Sequence, residues 1–205
     1  MARTQSVTSS ARDALKDRAA LDRLLAATAP ENKDEKLRNH AFRSLMLLAQ
    51  KHPEALLPRW DDLARLLKGG HSFSKYPAIQ ILAELATVET GGRFEKAFRA
   101  HYGLLDDESI AVAAHIAGLS GKIAKARPAL EPRITEKLLT IDGTHFYQGR
   151  KDLIKGHAIE SFAEYFSQAK DKRTILEFVQ QQKAAASPRT RKAARRFLER
   201  FAEEL

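Results

Sequence analysis

Three stretches of the chain carry side chains whose types and spacing could do chemistry. His157, Glu160 and Glu164 are three and four residues apart, so a helix would bring them to one face as an imidazole with two carboxylates, the ligand set of di-metal helical bundles. The second half that such a site needs, another Glu three residues before a His, is absent. His157 therefore reads as a helix-surface or internally satisfied residue, and no metal is assigned. Trp60-Asp61-Asp62 sets an aromatic ring beside two carboxylates. Helical spacing groups Trp60 with Leu56, Leu63 and Leu67 on an apolar face and leaves Asp61 and Asp62 to water. The third stretch, Lys170 to Arg200, is a dense run of cations.

Other chemistries are excluded by composition. The chain has no Cys, which removes disulfides, thiolate nucleophiles and Cys-ligated metals. Gly69-Gly70 and Gly91-Gly92 are not followed by the Lys-Ser/Thr of a phosphate loop, and there is neither a Gly-x-Ser-x-Gly elbow nor a His-Glu-x-x-His pair. No catalytic residue and no cofactor is assigned, and the chain reads as non-enzymatic.

The formal net charge is +9, and its location says more than its size. Lys170, Lys172, Arg173, Lys183, Arg189, Arg191, Lys192, Arg195, Arg196 and Arg200 face only three acids in the same segment, Asp171, Glu177 and Glu199. These cations can hold a phosphate backbone through salt-sensitive contacts, or they can be the polar outer face that the last unit of a repeat array needs. Both readings stay open.

These side chains must be positioned by helices. The 205 residues, 43% hydrophobic with ten Gly and seven Pro, suffice for one large helical domain. Apolar residues recur at helical spacing with little alternation of period two, and the spacing predicts helices over 10–27, 34–52, 54–68, 74–88, 92–105, 109–126, 128–141, 151–170, 173–185 and 188–203. Residues 1–9 read as a frayed start. Met1 to Arg12 holds two Arg and no acid, like a transit segment, but Asp13 and Asp17 follow at once. No stretch approaches the ~18 apolar residues of a membrane span, and the expected location is cytoplasmic.

An internal repeat organises these helices. A small or β-branched residue is followed by large residues at offsets four and seven and by another residue at eight: Ala41, Leu45, Leu48, Ala49. The frame recurs at Ala78, Leu82, Leu85, Ala86; at Val112, Ile116, Leu119, Ser120; at Ala158, Phe162, Tyr165, Phe166; and at Ala194, Leu198, Phe201, Ala202. Each of the first four is followed by a second amphipathic helix, so the unit is a helix pair that buries its apolar face only by stacking on neighbours. The long step between the third and fourth frames leaves an inserted loop over 142–151. Its Phe146, Tyr147 and Arg150 either reach outward to a partner or fold back to fill the gap between units.

The run Asp107-Glu108-Ser109-Ile110-Ala111-Val112-Ala113-Ala114-His115-Ile116-Ala117-Gly118-Leu119 resembles the first helix of a HEAT repeat. Lys51 to Leu67, with Pro53 and Pro58, is similar to the turn and second helix. The resemblance covers roughly residues 34–205 and departs from the pattern in the fifth unit, which lacks a second helix. It implies an all-α, right-handed α-solenoid of HEAT-like (armadillo-type) antiparallel helix pairs, whose second helices line a concave face for protein and, in some members, nucleic acid. HEAT-type metal hydroxylases use repeated His-Glu dipeptides, which this chain lacks. HEAT-like DNA glycosylases pair aromatics with a carboxylate, for which only Trp60-Asp61-Asp62 stands here. The expected function is a scaffold or adaptor for a protein partner, without membrane contact. The alternative is a nucleic-acid-binding accessory protein using the C-terminal cations, and the third reading is a glycosylase.

Overall fold

A computed structural model describes residues 6–29, 31–68 and 72–202, without the side chains of 73 and 74. Among the described residues the chain forms eleven α-helices joined by short 3-10 turns, with no strand. It divides into two compact units, residues 1–97 and 98–205.

The first unit holds α1 (Val7–Lys16), α2 (Arg18–Ala27), α3 (Glu35–Lys51), α4 (Trp60–Leu66), α5 (Ser72–Leu85) and the start of α6 (Arg93–Gly103). Ser6 and Asp34 cap α1 and α3 by accepting the Ser9 and Leu37 N–H groups. Two expectations change here. The helix read over 10–27 is two helices, because Asp17 leaves the helical region (φ −128°, ψ 114°) and its carboxylate accepts the Ala19 N–H to start α2. The stretch after His52 is a 3-10 helix, Pro53–Arg59, before α4 begins. Pro58 has no N–H to give to the carbonyl four residues back, so the α pattern is broken there. The start of α1 at Val7 lies within the stretch read as frayed, while residues 1–5 and the stop at Gly69-Gly70 lie outside the described residues.

Alternate helices pack into two layers. Ser10 and His40 share a 2.9 Å hydrogen bond between α1 and α3, and Phe42 meets Tyr76 edge-on at 5.5 Å between α3 and α5. In the other layer Arg59 pairs with Asp22 of α2, and Trp60 meets Phe94 edge-on at 6.3 Å between α4 and α6.

The second unit holds the rest of α6, then α7 (Ile110–Ala126), α8 (Glu131–Leu139), α9 (Gln148–Tyr165), α10 (Lys172–Gln181) and α11 (Pro188–Arg200). Helices α9 and α11 run parallel. At their starts the Thr190 hydroxyl donates to the Asp152 carbonyl at 2.6 Å, and at their ends Phe166 meets Phe197 and Phe201 at 4.9 and 4.7 Å. Between α7 and α9 the Ser161 hydroxyl donates to the Ala117 carbonyl at 2.5 Å. This layer is close-packed because two glycines admit it: a Cβ on Gly121 would lie 2.7 Å from the Ser161 carbonyl oxygen, and one on Gly156 would lie 2.6 Å from Thr190 Oγ1. Across the other layer Arg133 of α8 lies over Phe98 of α6 at 4.1 Å, and buried Glu131 accepts the Lys170 N–H just before α10.

The repeat frame is the core. Of its twenty positions only Leu119, Leu198 and Ala202 are not buried, the last two lying in or just after α11. The loop read over 142–151 is shorter than expected. A 3-10 turn, Ile141–Gly143, follows α8, and the Tyr147 carbonyl accepts the Arg150 and Lys151 N–H groups to start α9 at Gln148. Ser187 caps α11 with Pro188 in its first turn.

Candidate partner-binding groove

Helix α11 buries Thr190, Ala193, Ala194 and Phe197 against the rest of the second unit. At 3.6 residues per turn, Arg189, Lys192, Arg196 and Arg200 then fall along one edge of the opposite face. That edge borders a groove of about 420 Å³ between α11 and α9, whose floor and far wall include Ile159, Glu160, Ala163, Ala193 and Phe197. The sequence gathered ten cations into one cluster, and the structure separates them by what each one touches.

Four are engaged by the protein itself. Arg189 donates to Glu160 at 2.9 Å and faces His157 Nδ1 at 3.4 Å. Arg191 turns back to donate to the Ala185 and Ala186 carbonyls, closing the turn before α11. Lys172 lies over the Phe166 ring and Arg173 pairs with Glu177 at 2.8 Å. Arg200 keeps an exposed head with its guanidinium 5.0 Å from the Phe201 ring centroid. Lys170 and Lys183 are exposed and lie away from the groove lining. Lys192, Arg195 and Arg196 are exposed and have no hydrogen bond or ion pair among the described residues. Arg195 lies further round α11, so the groove edge carries Lys192, Arg196 and Arg200, none of which has a hydrogen bond or ion pair among the described residues.

The α9 side carries the carboxylates. His157 is half-buried, and burial lowers its pKa, helped by the Arg189 charge, opposed by Glu160 and helped again by His115. Burial raises the Glu164 pKa, and Lys122 and Lys125 of α7 partly offset it. No single-sequence signal pointed to this meeting of α7, α9 and α11, because it joins residues about forty apart in the chain.

The remaining candidates are placed elsewhere. Phe146 folds back and is buried against His145, while Tyr147 is 67% exposed with the Arg150 guanidinium over its ring at 5.1 Å. Asp106 holds this loop by accepting the His145 backbone N–H at 2.7 Å. That bond lowers the Asp106 pKa most; burial opposes it, and the His145 imidazole and the Lys151 charge lower it further. Trp60 is buried, and Asp62 pairs with Arg59 and Arg65 at 3.2 and 3.3 Å, so this pair forms no open aromatic–carboxylate site. Among the described residues no three His, Asp or Glu side chains gather as a metal site, and no helix is long and apolar enough to cross a membrane.

With two layers of stacked helix pairs and a repeated core frame, the fold is that of armadillo- and HEAT-like helical repeats, an all-α solenoid class. Solved structures agree. A designed armadillo repeat protein in complex with the peptide (KR)4 is 16% identical with a TM-score of 0.60, covering 95% of this chain and 90% of that one. An engineered protein is 17% identical with a TM-score of 0.56, covering 96% and 89%. A further designed armadillo repeat protein is 13% identical with a TM-score of 0.54, covering 94% and 90%. No family model and no curated protein matches the sequence.

Proposed function

We propose that this chain is a non-enzymatic helical-repeat scaffold that binds a protein partner. The observation that carries the reading is the row of uncommitted cations along the α9–α11 groove, set on helices locked together by Gly156, Thr190 and Ser161. Rigid helices bearing exposed, unpaired groups suit recognition better than chemistry. A designed neighbour of the same fold is in complex with a peptide, which supports a peptide-sized occupant. The HEAT resemblance assigns contact to the second helices. In the second unit Arg133 is stacked on Phe98, Lys172 on Phe166 and Arg173 is paired with Glu177, so the reading moves the contact to the groove.

The alternative, a nucleic-acid-binding accessory protein, rests on the same cations. Affinity capture with the native chain, with and without nuclease treatment of the extract, separates the two. A protein retained after nuclease supports the scaffold, and an eluate that holds only nucleic acid, or that empties on nuclease treatment, overturns it.

A further inference from the structure

We propose that the α9–α11 groove takes an acidic, extended segment of a protein partner, an inference that rests on the scaffold reading above. Lys192, Arg196 and Arg200 are four residues apart, so at 1.5 Å rise per residue they stand about 6 Å from one another along about 12 Å of α11. An extended chain repeats a side chain on one face about every 6.6 Å. Three carboxylates at alternate positions therefore match the three cations in register. The floor supplied by Ala163 and Ala193 is apolar and shallow, which admits a backbone close to the cations and small side chains between them.

The surroundings favour a peptide over nucleic acid. Glu160 of α9 lines the groove beside the cationic strip, and exposed Glu199 lies near it on α11. A duplex carries a negative charge for roughly every 1.7 Å of its axis, and laid over this strip it would meet those carboxylates as well as the cations. Among the described residues the groove offers no open aromatic face for base stacking either, since its Phe197 is 2% exposed. A narrow acidic segment can follow the row of cations, with Glu160 across the groove already held by Arg189.

The test is fluorescence anisotropy of labelled (Glu-Ala)4 with the full chain at low and near-physiological salt, beside (KR)4 and a duplex DNA of about 20 base pairs. The groove variant is Lys192→Ser/Arg196→Ser/Arg200→Ser, and the control, Lys170→Ser/Arg173→Ser/Lys183→Ser, removes the same charge outside the groove. Each exposed ion pair contributes a factor of about two, so the groove variant weakens (Glu-Ala)4 binding about tenfold and the control less than about twofold. Ala163→Glu, which places a carboxylate in the floor and keeps every cation, weakens it at least as much. Circular dichroism checks that each variant is folded. The proposal is overturned if the native chain does not bind (Glu-Ala)4 at low salt, if both triple variants weaken it equally, or if the duplex binds more tightly than the peptide and is lost in the groove variant. Failure of the peptide with protein capture intact removes the groove assignment alone, whereas capture of nucleic acid alone removes the scaffold reading.

Discussion

Lowering the pH from 7.5 to about 5 should destabilise this protein, in part through His101. Its ring is fully buried in the second unit, beside Tyr102 at 5.1 Å between centroids, and burial lowers its pKa from 6.5 to about 4. Between those values the unfolded chain binds a proton that the native state refuses, so stability rises with pH across this window. The stability is complete above about pH 6.5 and is lost as pH falls toward 4, with a limit of about 3 kcal/mol. At pH 5 the His101 share is about 2 kcal/mol by the same linkage. His115 and His157 are also lowered by burial and act in the same direction, so the share of His101 is the difference between the native chain and His101→Phe. Urea unfolding followed by far-UV circular dichroism at both pH values measures it. His101→Phe should lose about 2 kcal/mol less than the native chain between pH 7.5 and 5. Equal losses in the two proteins would refute the assignment.

Three further outcomes follow from the packing. Gly156→Ala places a Cβ 2.6 Å from Thr190 Oγ1 and 3.3 Å from its Cα, and should cost about 1–3 kcal/mol in urea unfolding; Gly143→Ala, with nothing within 4 Å, should stay within about 1 kcal/mol. Trp60, the only Trp of the chain and 2% exposed, should emit at short wavelength and shift red as the first unit unfolds, and Trp60→Ala should destabilise by about 3–5 kcal/mol. Arg191→Ala removes donors to the Ala185 and Ala186 carbonyls and should lower stability by about 1–2 kcal/mol with partner affinity unchanged, whereas Lys192→Ala should do the reverse, as thermal melting and anisotropy on the same samples would record.

Much of the architecture was legible in the sequence because a repeat core leaves a periodic record. Ala41, Ala78, Val112, Ala158 and Ala194 head five frames in the sequence and are all buried in the structure. Local backbone breaks were less visible. Apolar spacing runs on from Ala14 to Ala20 and Leu21, so periodicity passes over Asp17, whose capping role depends on its own φ and ψ. Gly143 and Gly149 likewise read as a long loop, although α9 already contains Gly149. The candidate site was legible only as a list of charges. Which cations stay uncommitted depends on partners far away in sequence, such as Glu160 for Arg189, or on a side chain turning back, as Arg191 does. Neither leaves a mark in local composition.

The most direct test of the scaffold reading is anisotropy of single- and double-stranded DNA and RNA at two salt concentrations, with the native chain and with Lys192→Ser/Arg195→Ser/Arg196→Ser/Arg200→Ser. A protein-binding scaffold predicts only weak nucleic-acid binding at low salt that disappears at physiological salt, since each neutralised phosphate adds to the salt slope. Micromolar or tighter binding that persists at physiological salt and collapses in the variant would contradict it, and would make α11 a nucleic-acid contact.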